Sequence, residues 1–146
     1  MREMSQQRGG VHETVPPAFR VGMFAPVGQL ARGAGQSATW MSRVGDEAID
    51  HLCVGDHVSF FVGAGSDGLA TATSLLSCSS ELPAYIGLYL LPLCHPVPVA
   101  RQLASIGELA PGRLTLGVGI GGEDRHEIEI CGVDPGTRGR RMDECL

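Results

Sequence analysis

The 146-residue sequence contains no lysine and no asparagine, and all eleven of its basic residues are arginines. Sixteen acidic residues outnumber them, which gives a formal net charge of −5. The one arginine cluster, Arg138, Arg140 and Arg141, is followed by the acidic Asp143 and Glu144. We interpret this cluster as the solvated start of a helix, because a nucleic-acid surface needs a larger basic patch. The composition therefore argues against a nucleic-acid partner.

Signs of a membrane protein or of a disulfide-rich secreted protein are also lacking. The five cysteines, at positions 53, 78, 94, 131 and 145, form no CxxC pair, so neither a disulfide framework nor a zinc site is indicated. No segment is apolar over the length of a membrane span, and residues 1–17 lack the apolar core of a signal peptide. We expect residues 1–17 to be a flexible leader. We also expect reduced thiols, a cytoplasmic location and no membrane partner.

Residues 83–127 carry the strongest structural pattern. Residues 84–91 form an almost unbroken apolar run, which is typical of a strand covered on both faces in a parallel sheet. A helix then opens at Pro96 and stops at Pro111-Gly112, with a buried stripe predicted at positions 99, 100, 103, 104 and 106. A second strand over 113–119 runs into a glycine-rich segment. This order predicts a βαβ unit whose carboxyl end is lined by glycine.

Similar units recur upstream of this segment. Predicted strands start near residues 20, 52, 84 and 113, at intervals of 32, 32 and 29 residues, about the length of one βα unit. Helices are predicted over 37–46, from Ser66 or Asp67 to position 78, and over 137–146. An eight-stranded βα barrel takes roughly 250 residues. We therefore expect an α/β fold in which residues 18–146 form the N-terminal half of a (β/α)8 TIM barrel that stops in its fourth helix.

Asp56 and His57 are the first candidate site residues, because they leave the second predicted strand at its carboxyl end. Ligands bind at that end of parallel α/β folds. Histidine exchanges a proton near neutral pH, and aspartate can position neighbouring groups by hydrogen bonding. The alternative is an ordinary polar loop start.

The glycines of residues 117–122 satisfy the G-x-G-x-x-G pattern, but a dinucleotide fingerprint belongs to the first βα unit and opens a helix of small apolar residues. We therefore expect close backbone approach to a planar or phosphorylated ligand instead. The following Asp124, His126 and Glu127 have no partner that completes a metal site, and we interpret them as solvated charge. Residues 89–92, read alone, indicate core packing.

The segment LYLLPLCHPVPVARQLASIGELAPGRLTLGVGIGG, preceded by VGDHVSF and followed by ICGVDPGTRGRRMDE, resembles the luciferase-like flavin- and deazaflavin-dependent oxidoreductases. The resemblance extends from residue 19 to residue 146. It implies a TIM barrel that carries FMN or the deazaflavin coenzyme F-420 across the carboxyl ends of its strands. It also implies oxidoreductase or monooxygenase chemistry on a small-molecule substrate, and a homodimer for the full-length protein.

The same resemblance assigns roles to individual residues. His57 and Asp56 are the implied catalytic pair beside the cofactor, and a non-prolyl cis peptide is implied near Tyr89-Leu90. Backbone and polar groups after the fourth strand approach the ring. The residues implied in cofactor binding are Asp56, Tyr89, Leu90, Gly119, Ile120, Gly121, Gly122 and Glu123.

Two departures from the family pattern shape the functional expectation. Gly122 stands where many members have tryptophan, and the family's phosphate-binding elements lie on its seventh and eighth βα units. We therefore expect a luciferase-like oxidoreductase fragment with little activity and weak cofactor binding alone. The alternative is a non-catalytic remnant that acts only through self-association or binding to a partner.

Overall fold

The computed structural model describes residues 19–26, 28, 34–45, 49–59, 66–122 and 124–146. The predicted leader and Glu123 lie outside the described residues. Strands and helices alternate through this part of the chain, and two short 3₁₀ turns, Leu91–Leu93 and Pro135–Thr137, separate some of them. The elements are β1 (Gly22–Phe24), α1 (Ala34–Gly45), β2 (His51–Val54), α2 (Gly68–Cys78), β3 (Ala84–Tyr89), α3 (Pro96–Leu109), β4 (Leu114–Val118), α4 (Arg125–Ile130) and α5 (Arg138–Cys145).

The four strands form one parallel sheet in the order β1-β2-β3-β4. This is the predicted order. A doubly wound dinucleotide-binding sheet reverses its strand order about the first strand, and the described sheet does not. The sheet is therefore a sector of a TIM barrel, and the predicted fold class is confirmed.

The two faces of the sheet differ in their surroundings. Met23, Leu52, Ala84 and Leu114 are partners across the strands and join the main hydrophobic core. The same core contains Met41 and Val44 of α1 and further residues of α2, α3 and α5. Because successive side chains of a strand point to opposite faces, the neighbouring row faces away from these helices. That row is Phe24, Cys53, Tyr85 and Thr115.

A local capping residue marks the start of α2, and a distant arginine binds its end. The Asp67 carboxylate accepts a hydrogen bond from the Ala70 N–H at 2.7 Å, so Asp67 is the N-cap and one of the two predicted caps is confirmed. After the last turn, the Arg113 guanidinium donates to the carbonyls of Ser79 at 2.6 Å and Leu76 at 3.1 Å. Arg113 thus ties the end of α2 to the start of β4.

Helix α3 begins at Pro96, as predicted, but fewer of its residues are buried than the sequence predicted. Val99 and Ile106 are buried and Leu103 is half-buried, whereas Ala100 and Ala104 are exposed. Residues 99, 103 and 106 have the spacing of one face of a helix, the face that packs on the core. Ala100 and Ala104 lie at the edge of that face.

Helix α4 was not predicted, and it lies between β4 and the predicted final helix. Helix α5 begins within one residue of its predicted start. Among the described helices, none is both long enough and apolar enough to span a bilayer.

Candidate functional site

A cleft of about 470 Å³ opens at the carboxyl ends of β2, β3 and β4. Functional sites of parallel α/β barrels lie at this end of the strands. Its walls come from three consecutive βα connections. The lining residues are Gly55, Asp56, His57, Gly87, Leu88, Leu90, Gly119, Ile120, Gly121, Gly122, Asp124 and Glu127.

Asp56 joins three parts of the cleft. It is buried, and its Oδ1 accepts a hydrogen bond from the Gly68 N–H at 2.8 Å while its Oδ2 accepts one from the Leu90 N–H at 2.9 Å. Burial raises the pKa of Asp56 above its ordinary value, and the two backbone hydrogen bonds offset part of that rise. The carboxylate therefore holds the end of β2 against the first turn of α2 and the residue after β3.

His57, the next residue, is oriented by an acid from a distant part of the chain. Its Nδ1 lies 3.2 and 3.3 Å from the two carboxylate oxygens of Glu127, which is 70 residues away in sequence. Glu127 is only 3 % exposed, and its Oε1 also accepts hydrogen bonds from the N–H groups of Val58 at 2.6 Å and Ser59 at 3.0 Å. Glu127 thus fixes both the imidazole and the main chain that follows it.

The end of β3 differs from its prediction. The non-prolyl cis peptide lies at Gly87-Leu88, two residues before the expected Tyr89-Leu90. The pairing with β4 is irregular between Ile86 and Tyr89, so Tyr89 returns to the core-facing side. The Tyr89 hydroxyl lies 3.4 Å from the Cys94 sulfur, outside the cleft, and burial is the main reason that its pKa is raised. The implied non-prolyl cis peptide is therefore present at the end of β3, two residues before the position expected from the sequence.

Leu88 lies over Gly117 of the neighbouring strand β4 and over Gly119, which follows that strand. A Cβ atom at Gly119 would come within 2.9 Å of Leu88 Cδ1, and one at Gly117 within 2.9 Å of Leu88 Cδ2 and 2.7 Å of the Ile86 carbonyl oxygen. These glycines therefore make room for the Leu88 side chain. Leu88 is 48 % exposed and presents apolar surface to the cleft.

The glycine turn after β4 is supported from behind by an arginine. Gly121 has a φ of +69°, a conformation that glycine adopts without the cost a side chain would add. The Arg138 guanidinium donates to the Gly121 carbonyl at 2.8 Å and to the Pro135 carbonyl at 2.7 Å. Arg141 likewise donates to the Pro92 carbonyl at 2.9 Å. Arg138 and Arg141 were both predicted to be solvated at the start of a helix. That prediction was wrong, because each guanidinium binds a main-chain carbonyl group.

The acidic residues after β4 also differ from their prediction as solvated charge. Asp124 and Glu127 are buried, whereas His126 is exposed. Asp124 caps α4 by accepting a hydrogen bond from the His126 N–H at 2.9 Å, and Glu127 points at His57. Each of these two carboxylates can be buried because main-chain N–H groups donate hydrogen bonds to it. Among the described residues, no three acidic, histidine or cysteine side chains are arranged to hold a metal ion.

Comparison with known proteins agrees with this geometry. The sequence profile of the family "Luciferase-like monooxygenase" matches residues 19–146. The chain belongs to this family. No curated protein sequence matches the chain at a significant level.

Three solved structures share the fold at low sequence identity. The oxygenating constituent of 3,6-diketocamphane monooxygenase from Pseudomonas putida, in complex with FMN, superposes with a TM-score of 0.69 at 20% identity, over 88% of this chain and 38% of that one. Monooxygenase RslO1 from Streptomyces bottropensis superposes with a TM-score of 0.68 at 20% identity, over 87% of this chain and 40% of that one. Apo-MsnO8 superposes with a TM-score of 0.62 at 17% identity, over 86% of this chain and 41% of that one. The chain thus spans about two fifths of the length of these structures.

Most of the residues that the sequence singled out meet in one cleft of this luciferase-like chain. Asp56, His57, Leu90 and the turn over 119–122 all line it, whereas Tyr89 does not, and Glu123 lies outside the described residues. Sequence reasoning missed Gly87, Leu88 and the role of Glu127. One signal was available, because Asp124 and Glu127 have the spacing of an N-cap and its third helical residue. That spacing predicts α4, although it gives no indication that Glu127 contacts His57.

Proposed function

We propose that this chain forms the ring-binding part of a flavin- or deazaflavin-dependent oxidoreductase site, within a monooxygenase of the luciferase-like family. The observation that carries the proposal is the cleft at the carboxyl ends of β2, β3 and β4, with an oriented histidine in its wall. A small-molecule substrate would share the same cleft. FMN and coenzyme F-420 are the two candidate cofactors.

The shape and lining of the cleft suit a planar, largely apolar ring. Its volume of about 470 Å³ lies within the range typical of small-molecule sites. Leu88, Leu90 and Ile120 supply apolar contact, and glycine backbone forms much of the remaining wall. Bare backbone lets a flat ring approach closely and offers N–H and C=O groups to its polar edge.

The charges in the cleft favour the ring over a phosphate group. Among the described residues, the acids of the cleft are Asp56, Asp124 and Glu127, and the carboxylate of each accepts at least one hydrogen bond from a main-chain N–H group. Among the described residues that line the cleft, none is an arginine. Phosphate recognition normally relies on charge-assisted donors such as arginine. We therefore assign this part of the protein to the ring and to no phosphate.

A bound flavin or deazaflavin supplies hydride transfer, and reduced FMN also supplies oxygen activation. The chain's own residues hold and shield the ring. Leu88 and Leu90 exclude water from its face, Asp56 keeps Leu90 in place, and His57 can hold or accept a proton near neutral pH. The FMN complex of the related 3,6-diketocamphane monooxygenase constituent supports FMN, and the Asp56-His57 pair at the end of β2 supports F-420.

The test is a fluorescence titration of the purified chain with riboflavin, FMN and coenzyme F-420, in parallel with the variants Leu88→Asp and Val97→Asp. Leu88 lies in the cleft, whereas Val97 is 69 % exposed in the first turn of α3 and outside it. We expect Leu88→Asp to weaken ring binding at least tenfold and Val97→Asp to leave it unchanged. Equal affinities for the two variants would contradict the proposed position of the ring.

A second proposal rests on the sheet face that points away from the helices. Phe24 is 67 % exposed on this face, in the same row as Tyr85 and Thr115, and β1 and β4 are the edges of the described sheet. Exposed apolar surface favours association. We propose that a second copy of the chain covers this face. Light scattering should then report a dimer that Phe24→Asp dissociates and Val97→Asp does not, and a monomeric wild type would exclude it.

A further inference from the structure

We propose that Glu127 is a positioning residue that holds the neutral imidazole of His57 in the tautomer protonated at Nδ1. The proposal concerns the geometry of this one pair. Its consequence for catalysis rests on the proposed function, because the lone pair of the neutral imidazole would then lie on Nε2. Nothing in the local sequence assigns this role to Glu127.

The hydrogen-bond donors around Glu127 determine the tautomer. Oε1 accepts hydrogen bonds from the N–H groups of Val58 at 2.6 Å and Ser59 at 3.0 Å. Oε2 lies 3.2 Å from His57 Nδ1. A carboxylate only accepts hydrogen bonds, so the proton between Oε2 and Nδ1 has to come from the imidazole. The opposite tautomer would place a nitrogen lone pair against the carboxylate.

Burial makes this preference strong. Glu127 is 3 % exposed, so little water is available to replace a lost hydrogen bond. The His57 side chain is 39 % exposed and lines the cleft, which gives the ring access to a ligand. The hydrogen bond at one ring nitrogen sets which nitrogen is protonated, and thereby the chemistry available at the other.

Replacement of Glu127 by glutamine is the informative change, because the side chain keeps its shape. The two backbone donors, Val58 N–H and Ser59 N–H, hold the amide oxygen in the place of Oε1. The amide NH₂ group then takes the place of Oε2 and donates toward His57 Nδ1. Oε1 lies 3.3 Å from Nδ1, but an amide oxygen in its place has both lone pairs engaged by the two backbone N–H groups and does not accept from the imidazole. Nδ1 then accepts from the amide NH₂ group, so we expect the imidazole to switch to the Nε2-protonated tautomer.

The experiment is long-range ¹H–¹⁵N NMR of the histidine side chains, without any cofactor, recorded over a series of pH values so that the neutral and the doubly protonated imidazole are distinguished. The His57 signals are assigned by their loss in His57→Gln. We expect mainly the Nδ1-protonated form in the wild type and mainly the Nε2-protonated form in Glu127→Gln. The matched control is Glu129→Gln, the same chemical change on α4 at a residue paired with Arg125. It should leave the tautomer unchanged.

Two results would overturn the proposal. One is an Nε2-protonated His57 in the wild type, which decides the matter even if Glu127→Gln does not fold. The other is a folded Glu127→Gln variant that keeps the Nδ1-protonated form, which would mean that Glu127 serves only to anchor the Val58 and Ser59 backbone. Because no ligand is present, either result is independent of whether the cleft binds a flavin.

Discussion

Asp56 allows the clearest quantitative prediction, because both oxygens of a buried carboxylate have a named donor. Oδ1 accepts from Gly68 N–H at 2.8 Å and Oδ2 from Leu90 N–H at 2.9 Å, and the residue is only 7 % exposed. In Asp56→Asn one oxygen becomes an NH₂ group that faces a backbone donor. A buried donor without an acceptor costs about 1–3 kcal/mol.

The expected magnitudes follow from this count of donors. Asp56→Asn should lower the free energy of unfolding by about 1–3 kcal/mol, and Asp56→Ala, which leaves both N–H groups unpaired, by about 2–6 kcal/mol. Total stabilities of single domains are about 5–15 kcal/mol, so the alanine variant should lose a large fraction of the total.

Urea unfolding followed by circular dichroism measures these changes. Asp67→Asn is the matched control, because Asp67 is the exposed N-cap of α2 and asparagine caps helices about as well as aspartate. We expect the control to stay within about 0.5 kcal/mol of the wild type, as is usual for surface substitutions. An Asp56→Asn variant as stable as Asp67→Asn would show that the two backbone donors do not depend on the carboxylate.

Three further predictions concern the residues around the site. Because burial raises the pKa of Asp56, the part of its stability contribution that depends on protonation is full below the ordinary aspartate pKa of about 3.9 and is lost as pH rises through the raised value, while the two backbone hydrogen bonds to the carboxyl group remain. The stability advantage of wild type over Asp56→Asn, measured by urea unfolding, should therefore shrink over that window, and an advantage that does not fall with pH would contradict the raised pKa. Gly117→Ala should cost about 1–3 kcal/mol in urea unfolding and, by displacing Leu88, weaken ring binding, because the new Cβ would lie 2.7 Å from the Ile86 carbonyl oxygen and 2.9 Å from Leu88 Cδ2; unchanged values would contradict the close packing. Arg113→Gln should lower the melting temperature by several degrees through the loss of charged hydrogen bonds at the end of α2, whereas Arg101→Gln, on the exposed face of α3, should not; equal effects would contradict that role.

Local sequence patterns predicted much of the fold because the signals for strands and helices act over short distances. The apolar run over residues 84–91 contains β3, which lies between β2 and β4 in the sheet. Asp67 and Pro96 mark the starts of α2 and α3, and Gly112 follows the end of α3. Each of these signals acts within a few residues. Their regular spacing was sufficient to predict four parallel strands in sequential order.

The internal design of the site could not be predicted in the same way, since it depends on contacts between distant segments. Glu127 meets His57 across 70 residues, and Asp56 meets Leu90 across 34. No local pattern distinguishes such an acid from a solvated one. The cis peptide lies two residues before its expected position, within the irregular pairing of β3 with β4, and that pairing is also a contact between distant segments.

Titration of the chain with riboflavin and FMN side by side is the decisive test of whether the cleft receives a flavin-type ring without its phosphate. We predict saturable fluorescence quenching by both, with dissociation constants above about 1 μM and within about threefold of each other. A phosphate held by even one charge-assisted hydrogen bond, worth about 1.5–3 kcal/mol, would favour FMN by about tenfold or more. Such a preference for FMN, or the absence of saturable binding of either compound, would contradict the assignment of this cleft to the ring alone.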